Sequence, residues 1–234
     1  MLVPKVENFS KQSEEQRNTV TVESINVKGD FYNLDIHYEE KARQKFIKYI
    51  EKIIRRSFEY RTYIGFLKNE LNITKCTFLP SIDVNEIKKV GLEMHHYPYT
   101  LFDIVSIVLD EHMLVRGEKF INPFDIAEEV MQLHYQNYIG LVPLTTTIHE
   151  LVHSGKVFVN LKYVFGNYNK FINLYSSALS DNYKQMLSNL EQLSDKEDNE
   201  GSINGDILDK NLLTVEIKDV SKPDIIEIED EMLA

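Results

Sequence analysis

Apolar positions along the chain change period several times, and each change marks a predicted element. In "TVTVESINVKGDFYNLDIHY" (19–38) β-branched and polar residues alternate around a Gly-Asp break, which predicts a small β-hairpin. From Glu39 the rhythm becomes helical. Phe46, Ile47, Ile50, Ile53 and Ile54 fall at i, i+1, i+4, i+7 and i+8, one face of an amphipathic helix, and "FEYRTYIGFLKNEL" (58–71) predicts a second helix. Residues 74–83 and 87–96 read as two short strands around a polar turn. After Pro98 and Thr100 comes an apolar helix, "LFDIVSIVLDEHML" (101–114). Another helix starts where Asn122 can cap and Pro123 occupies the first turn. "YIGLVPLT" (138–145) is strand-like. Thr145 to Thr147 then offer an N-cap for "IHELVHS", which Gly155 ends. Residues 168–193 are mostly helical in pattern.

Outside these segments the pattern fades. Residues 1–18 read as a loose arm. Residues 19–72 hold the hairpin and the first helices, and 73–193 hold a central domain. Residues 194–234, rich in Asp, Glu, Asn, Ser and Gly, predict a disordered acidic tail.

Charge sharpens this division. The net charge is −11, yet 191–234 alone carries 14 acidic and 4 basic residues, a net of −10. The remaining 190 residues are therefore close to neutral, at −1. Within them, "KARQKFIKYIEKIIRRSFEYR" (41–61) has eight Lys/Arg against two Glu. Lys41, Lys45, Lys48, Lys52, Arg55 and Arg56 become candidate phosphate contacts for DNA, or else the solvated face opposite the isoleucines. No base-reading motif accompanies them. The acidic tail could dock a protein partner. A single cysteine, Cys76, excludes an intramolecular disulfide and a Cys-rich zinc site. With no signal-peptide pattern and no apolar run of membrane-spanning length, the expectation is a cytoplasmic protein, including the cytoplasm of an infected host cell.

Four of the seven histidines lie in two clusters, His95-His96 and His149/His153. Residues four apart on a helix present side chains to one point. The stretch "HELVH" (149–153) also has the spacing of a zinc-protease helix, with Glu150 as base. A zinc protease needs a third ligand after the helix, and the continuation "SGKVFVNLKYVFGNY" contains no His and no acid. Upstream, His95 and His96 end a predicted strand and so point to opposite sides, which lets one face an ion and the other a substrate.

A strand ending in Glu-x-His-His, a second strand "IGLVPLT" and a helix carrying His-x-x-x-His resemble the HNH, or ββα-metal, nuclease module. The residues that carry the likeness are Glu93, His95, His96, Leu141, Pro143, Leu144, His149 and His153. The resemblance implies an α+β protein with a ββα-metal core in a mainly helical domain. Residues 101–136 would be an insertion between its two metal-site strands. It further implies one divalent ion (Mg²⁺, Mn²⁺, Zn²⁺ or Ni²⁺) on His95, His149 and His153, His96 as general base, and Glu93 supporting the ligands. The three ligand nitrogens should then converge within about 4 Å of one another.

The implied function is a metal-dependent endonuclease acting on DNA, of viral or mobile-element origin. The alternative is an inactive scaffold of the same shape, serving as a structural or transcription-associated nucleic-acid- or protein-binding module. A zinc protease ranks third.

Overall fold

A computed structural model describes residues 32–80, 83 and 91–200. The N-terminal arm, most of the predicted hairpin and all but the first residues of the acidic tail lie outside them. The fold is α+β and mainly helical. Two pairs of short strands supply its sheet: β1 (Tyr32–Asn33) with β3 (Phe120–Ile121), and β2 (Leu92–His96) with β4 (Leu141–Thr145). The chain divides into two compact units.

The first unit holds the described residues of 1–71, 96–140 and 166–186. Its centre is α1 (Glu40–Arg56), packed on α3 (Leu101–Asp110) and α4 (Pro123–Tyr135), with α2 (Phe58–Asn69) beside them. The isoleucine stripe of α1 is buried as its spacing predicts, and the helices it packs on, α3 and α4, bury Ile104, Val105, Ile126 and Val130 in turn. Helices 101–110 and 123–135 stand in this first unit together with α1. Their apolar faces complete the core that α1 begins, and an amphipathic face must be covered by another element.

Local signals fix the ends of these helices. Thr100 and Asp103 form a reciprocal capping box at the start of α3. Asn122 accepts from the Phe124 N–H at 3.0 Å, with Pro123 in the first turn of α4. Where the sequence predicted α-helix through 114, the chain widens into a π turn at Glu111–Val115, and the Arg116 N–H donates to the Glu111 carbonyl.

Tyr32 and Asn33, expected to sit in a hairpin, instead pair antiparallel with Ile121 and Phe120. A helical turn follows at Leu34–His37, because the Asn33 side chain caps the Ile36 N–H. The predicted helix over 168–193 is broken into α6 (Tyr168–Leu174) and α7 (Asp181–Glu200). The break falls on "YSSALS", where serine side chains compete for backbone hydrogen bonds. Helix α7 also carries 194–200 beyond the expected tail boundary.

Gly166 approaches a neighbouring backbone segment closely. Its φ is +102°, and a Cβ there would lie 2.2 Å from the Ile139 carbonyl oxygen. Gly166→Ala combines a disfavoured dihedral with a backbone clash. It is expected to cost about 2 kcal/mol in urea unfolding, and an unchanged midpoint would contradict the tight approach.

The second unit holds the described residues of 72–95, 141–165 and 187–200. Strand β4 is its spine. Pro143 has no N–H to give, but its carbonyl accepts from both the backbone and the hydroxyl of Thr77, at 2.9 and 3.1 Å. Leu141 exchanges two backbone hydrogen bonds with Phe165. Buried Cys76 receives the Thr145 N–H. Among the described residues of the expected strand over 74–83, Lys75 bridges to Asp83, while Cys76 and Thr77 bond to β4. Helix α7 contributes Ser194 and Asp198, which hold the Leu161 N–H, Asn160 and Lys162. Among the described residues no helix is long and apolar enough to cross a membrane.

Candidate metal centre

Strand β4 runs straight into α5 (Thr146–His153), with Thr145 in extended conformation at the junction. The helix ends as its glycine predicts. Gly155, at φ +68°, donates to Val152, and Lys156 donates to Leu151 at 2.9 Å, which is a Schellman closure. At the other end Thr145 makes no side-chain cap, so the strand leading in takes the place of the expected cap, and His149 and His153 project one turn apart from the helix.

Their Nε2 atoms lie 3.1 Å apart. Two ligands of a tetrahedral ion bound at 2.0–2.1 Å would stand about 3.3 Å apart, so this pair already has the spacing of adjacent ligands. His95, buried on β2, brings its ring to 4.9 and 5.0 Å from the other two, centroid to centroid. One ligand atom from each of the three histidines falls within 4.8 Å of the others. That is wider than the 4 Å anticipated, and seating an ion would close the widest pair by up to about 1.5 Å.

Glu93 lies on the same strand as His95, two residues earlier. Its carboxylate stands 3.1 Å from His149 Nδ1. An Nδ1–H donated to a carboxylate leaves Nε2 as the lone-pair nitrogen, which is the one facing His153. The donor set is thus three imidazoles, one of them oriented by an acid. Neutral imidazoles suit Zn²⁺ or Ni²⁺ better than Mg²⁺, which prefers oxygen. Glu150, the residue that makes "HELVH" look like a protease, is exposed. The third imidazole of the cluster comes from β2, ahead of the helix in sequence, and not from a later segment.

His96 joins a different set of rings. It is buried, stacks near Tyr60, and holds its Nε2 3.0 Å from Nε2 of His134. His134 places Nδ1 2.7 Å from the Val130 carbonyl, so that nitrogen carries the proton and Nε2 accepts from His96. Burial, partly opposed by that carbonyl, pulls His134 down to about 4, which keeps it neutral. The expectation that His96 serves as a general base beside the ion is not supported by this placement, because the nitrogen it would need is committed to a buried partner.

A further cluster, with no motif in the sequence to announce it, surrounds His112, which is buried with Nδ1 3.0 Å from Glu118 and Nε2 2.7 Å from Glu129. Glu129 also accepts from Arg116 and from the Tyr175 hydroxyl, at 2.7 and 2.6 Å. The six basic candidates of α1 are all exposed.

The sequence matches the bacteriophage G278-like virion protein family over residues 1–221. The chain belongs to that family. No curated protein and no solved structure matches it. Membership across nearly the whole chain corrects the likeness to the HNH nucleases, which rested on some 25 residues around the two histidine clusters. The viral origin expected from the sequence agrees with the family. The terms endonuclease, HNH and hydrolase find no support in it.

Proposed function

We propose that this virion protein is a component of the phage particle that binds one divalent cation through His95, His149 and His153. The carrying observation is the 3.1 Å approach of the His149 and His153 Nε2 atoms, with Glu93 on the far nitrogen of His149. A hydrogen bond also brings two imidazole nitrogens this close, as at His96 and His134, and what sets this pair apart is the third imidazole, His95, with a ligand atom within 4.8 Å of both. The role we assign the ion is structural. It ties β2 to α5 in a unit whose described residues hold one strand pair, one short α-helix, a 3-10 turn and part of a longer helix, where a metal can substitute for a larger apolar core.

The test is a zinc titration of the EDTA-dialysed full chain, followed by calorimetry and thermal unfolding. One ion per chain should bind, with stabilisation of about 2.7 kcal/mol when free zinc is a hundred times Kd. A stoichiometry far below one, or unfolding that ignores zinc, would overturn the proposal.

Hydrolysis of a phosphodiester is the second reading, favoured by the count of three protein ligands, since structural zinc sites have four. When bound to three histidines, such an ion supplies a water that ionises near neutral pH. Strand scission of plasmid DNA by the wild type with Zn²⁺, Mn²⁺ or Ni²⁺, lost in His149→Ala, would favour this reading over a purely structural ion.

A further inference from the structure

The structure gives the basic residues of α1 an arrangement that the metal site does not use. At 100° per residue, Lys41, Lys45, Lys48, Lys52, Arg55 and Arg56 fall within an arc of about 100° on the helix. All six are exposed. Glu51 stands at the edge of the arc, 3.6 Å from Arg55. Lys41, Lys45, Lys48, Lys52 and Arg56 have no ion-pair partner among the described residues. Arg43 is the contrasting case. It lies on the inner side of the same helix, and Asp110 and Ser106 hold it there. The remaining arc is taken by the buried isoleucines, which fix the helix in the core and leave the cationic face outward.

From Lys41 to Arg56 the stripe extends about 22 Å, with a positive charge roughly every 5 Å. Phe58, 64% exposed, and Arg61, also exposed, continue the surface onto α2. A straight row of point charges with no base-reading side chains suits a uniformly charged polymer. It is poorly suited to a single small anion, which needs converging donors.

We infer that the outer face of α1 binds the phosphate backbone of nucleic acid without sequence preference. Charge complementarity carries this choice, and a phage particle encloses such a polymer. The inference is independent of the metal. An anionic membrane surface, or the chain's own residues 201–234 with nine acidic and three basic side chains, would be competing occupants.

The experiment measures binding of the full chain to a 20-bp duplex of arbitrary sequence, from about 50 to 200 mM salt. If five contacts form, log K should fall with log salt at a slope of about −4.5. Lys45→Gln/Lys48→Gln/Lys52→Gln, which removes three charges at exposed positions, should reduce the slope magnitude by about 2.7 and leave thermal unfolding unchanged. Scrambling the duplex sequence should change nothing. Three results would overturn the inference: no binding at the lowest salt, an equal slope in wild type and triple variant, or tighter binding to phosphatidylserine vesicles than to DNA. Should binding appear only after the acids of 224–231 are neutralised, the tail is the occupant and the inference is likewise overturned.

Discussion

His149→Ala is expected to weaken zinc binding by at least about 100-fold, on the footing that a structural zinc site is worth about 10–16 kcal/mol shared among its ligands. His149 is the most informative of the three because it stands between His153, 3.1 Å from its Nε2, and Glu93, 3.1 Å from its Nδ1. Its loss removes one ligand and strands the acid that orients it. Glu93→Gln should act more gently, lowering affinity about 10- to 100-fold, as is usual when a partner behind a ligand is lost. His96→Ala should leave zinc affinity unchanged while lowering stability, because His96 packs against His134 and Tyr60 and not within the trio. Calorimetry on the four proteins, with unfolding followed in parallel, separates these roles. Zinc release by His96→Ala with His149→Ala unaffected would overturn the assignment of ligands.

Glu129→Ala is expected to destabilise the first unit by about 3 kcal/mol, the scale of breaking a largely buried charged network. Glu129 gathers His112, Arg116 and Tyr175 on two oxygens, and its side chain is only 24% exposed. Burial alone would raise its pKa. The hydrogen bonds from His112, Arg116 and Tyr175 outweigh burial and hold it at about 2. For His112 burial pulls downward, and the bonds to Glu129 and Glu118 more than reverse it, so its pKa is raised above 6.5.

The signs follow by linkage. The Glu129 contribution is present above the unfolded carboxylate value near 4.5 and is lost as pH falls toward about 2. The His112 contribution is complete below 6.5 and is lost as pH rises through its raised folded value. Wild type should therefore be most stable between about pH 4.5 and 6.5 as far as this network is concerned. Urea unfolding of Glu129→Ala followed below and above that range, from about pH 2 to about pH 8, should show a flatter profile than wild type, and an identical profile would remove the network from the account.

How much of this was legible in the sequence varies with the range of the interaction. The stripe of α1, the Asn122–Pro123 start of α4 and the Gly155 stop of α5 are local, and periodicity and capping chemistry reveal them. The grouping of His149 with His153 is equally local, since it needs only one helical turn. Joining His95 to them in the sequence rested on a resemblance to a family that is not this chain's, and the structure groups the three imidazoles by geometry alone. What could not be read is non-local. Nothing in "LFDIVSIVLD" says that its partner is the helix at 40–56. His96 and His112 look alike as letters, and only packing tells that one meets a buried imidazole and the other two carboxylates. The Tyr175 hydroxyl likewise finds Glu129 46 positions away in sequence.

The π turn at Glu111–Val115 amounts to an α-helix carrying one residue more than its register allows. Excising a single residue there would let the segment relax into continuous α-helix, a change that costs the helix itself nothing. Everything beyond the excision would then rotate by about 100° relative to what precedes it. His112 and Arg116 flank the surplus residue, and they would no longer reach the same carboxylate. Within the family, the length of this segment and the presence of an acid at the position of Glu129 should therefore vary together, so that a chain one residue shorter at the turn has no need of the glutamate.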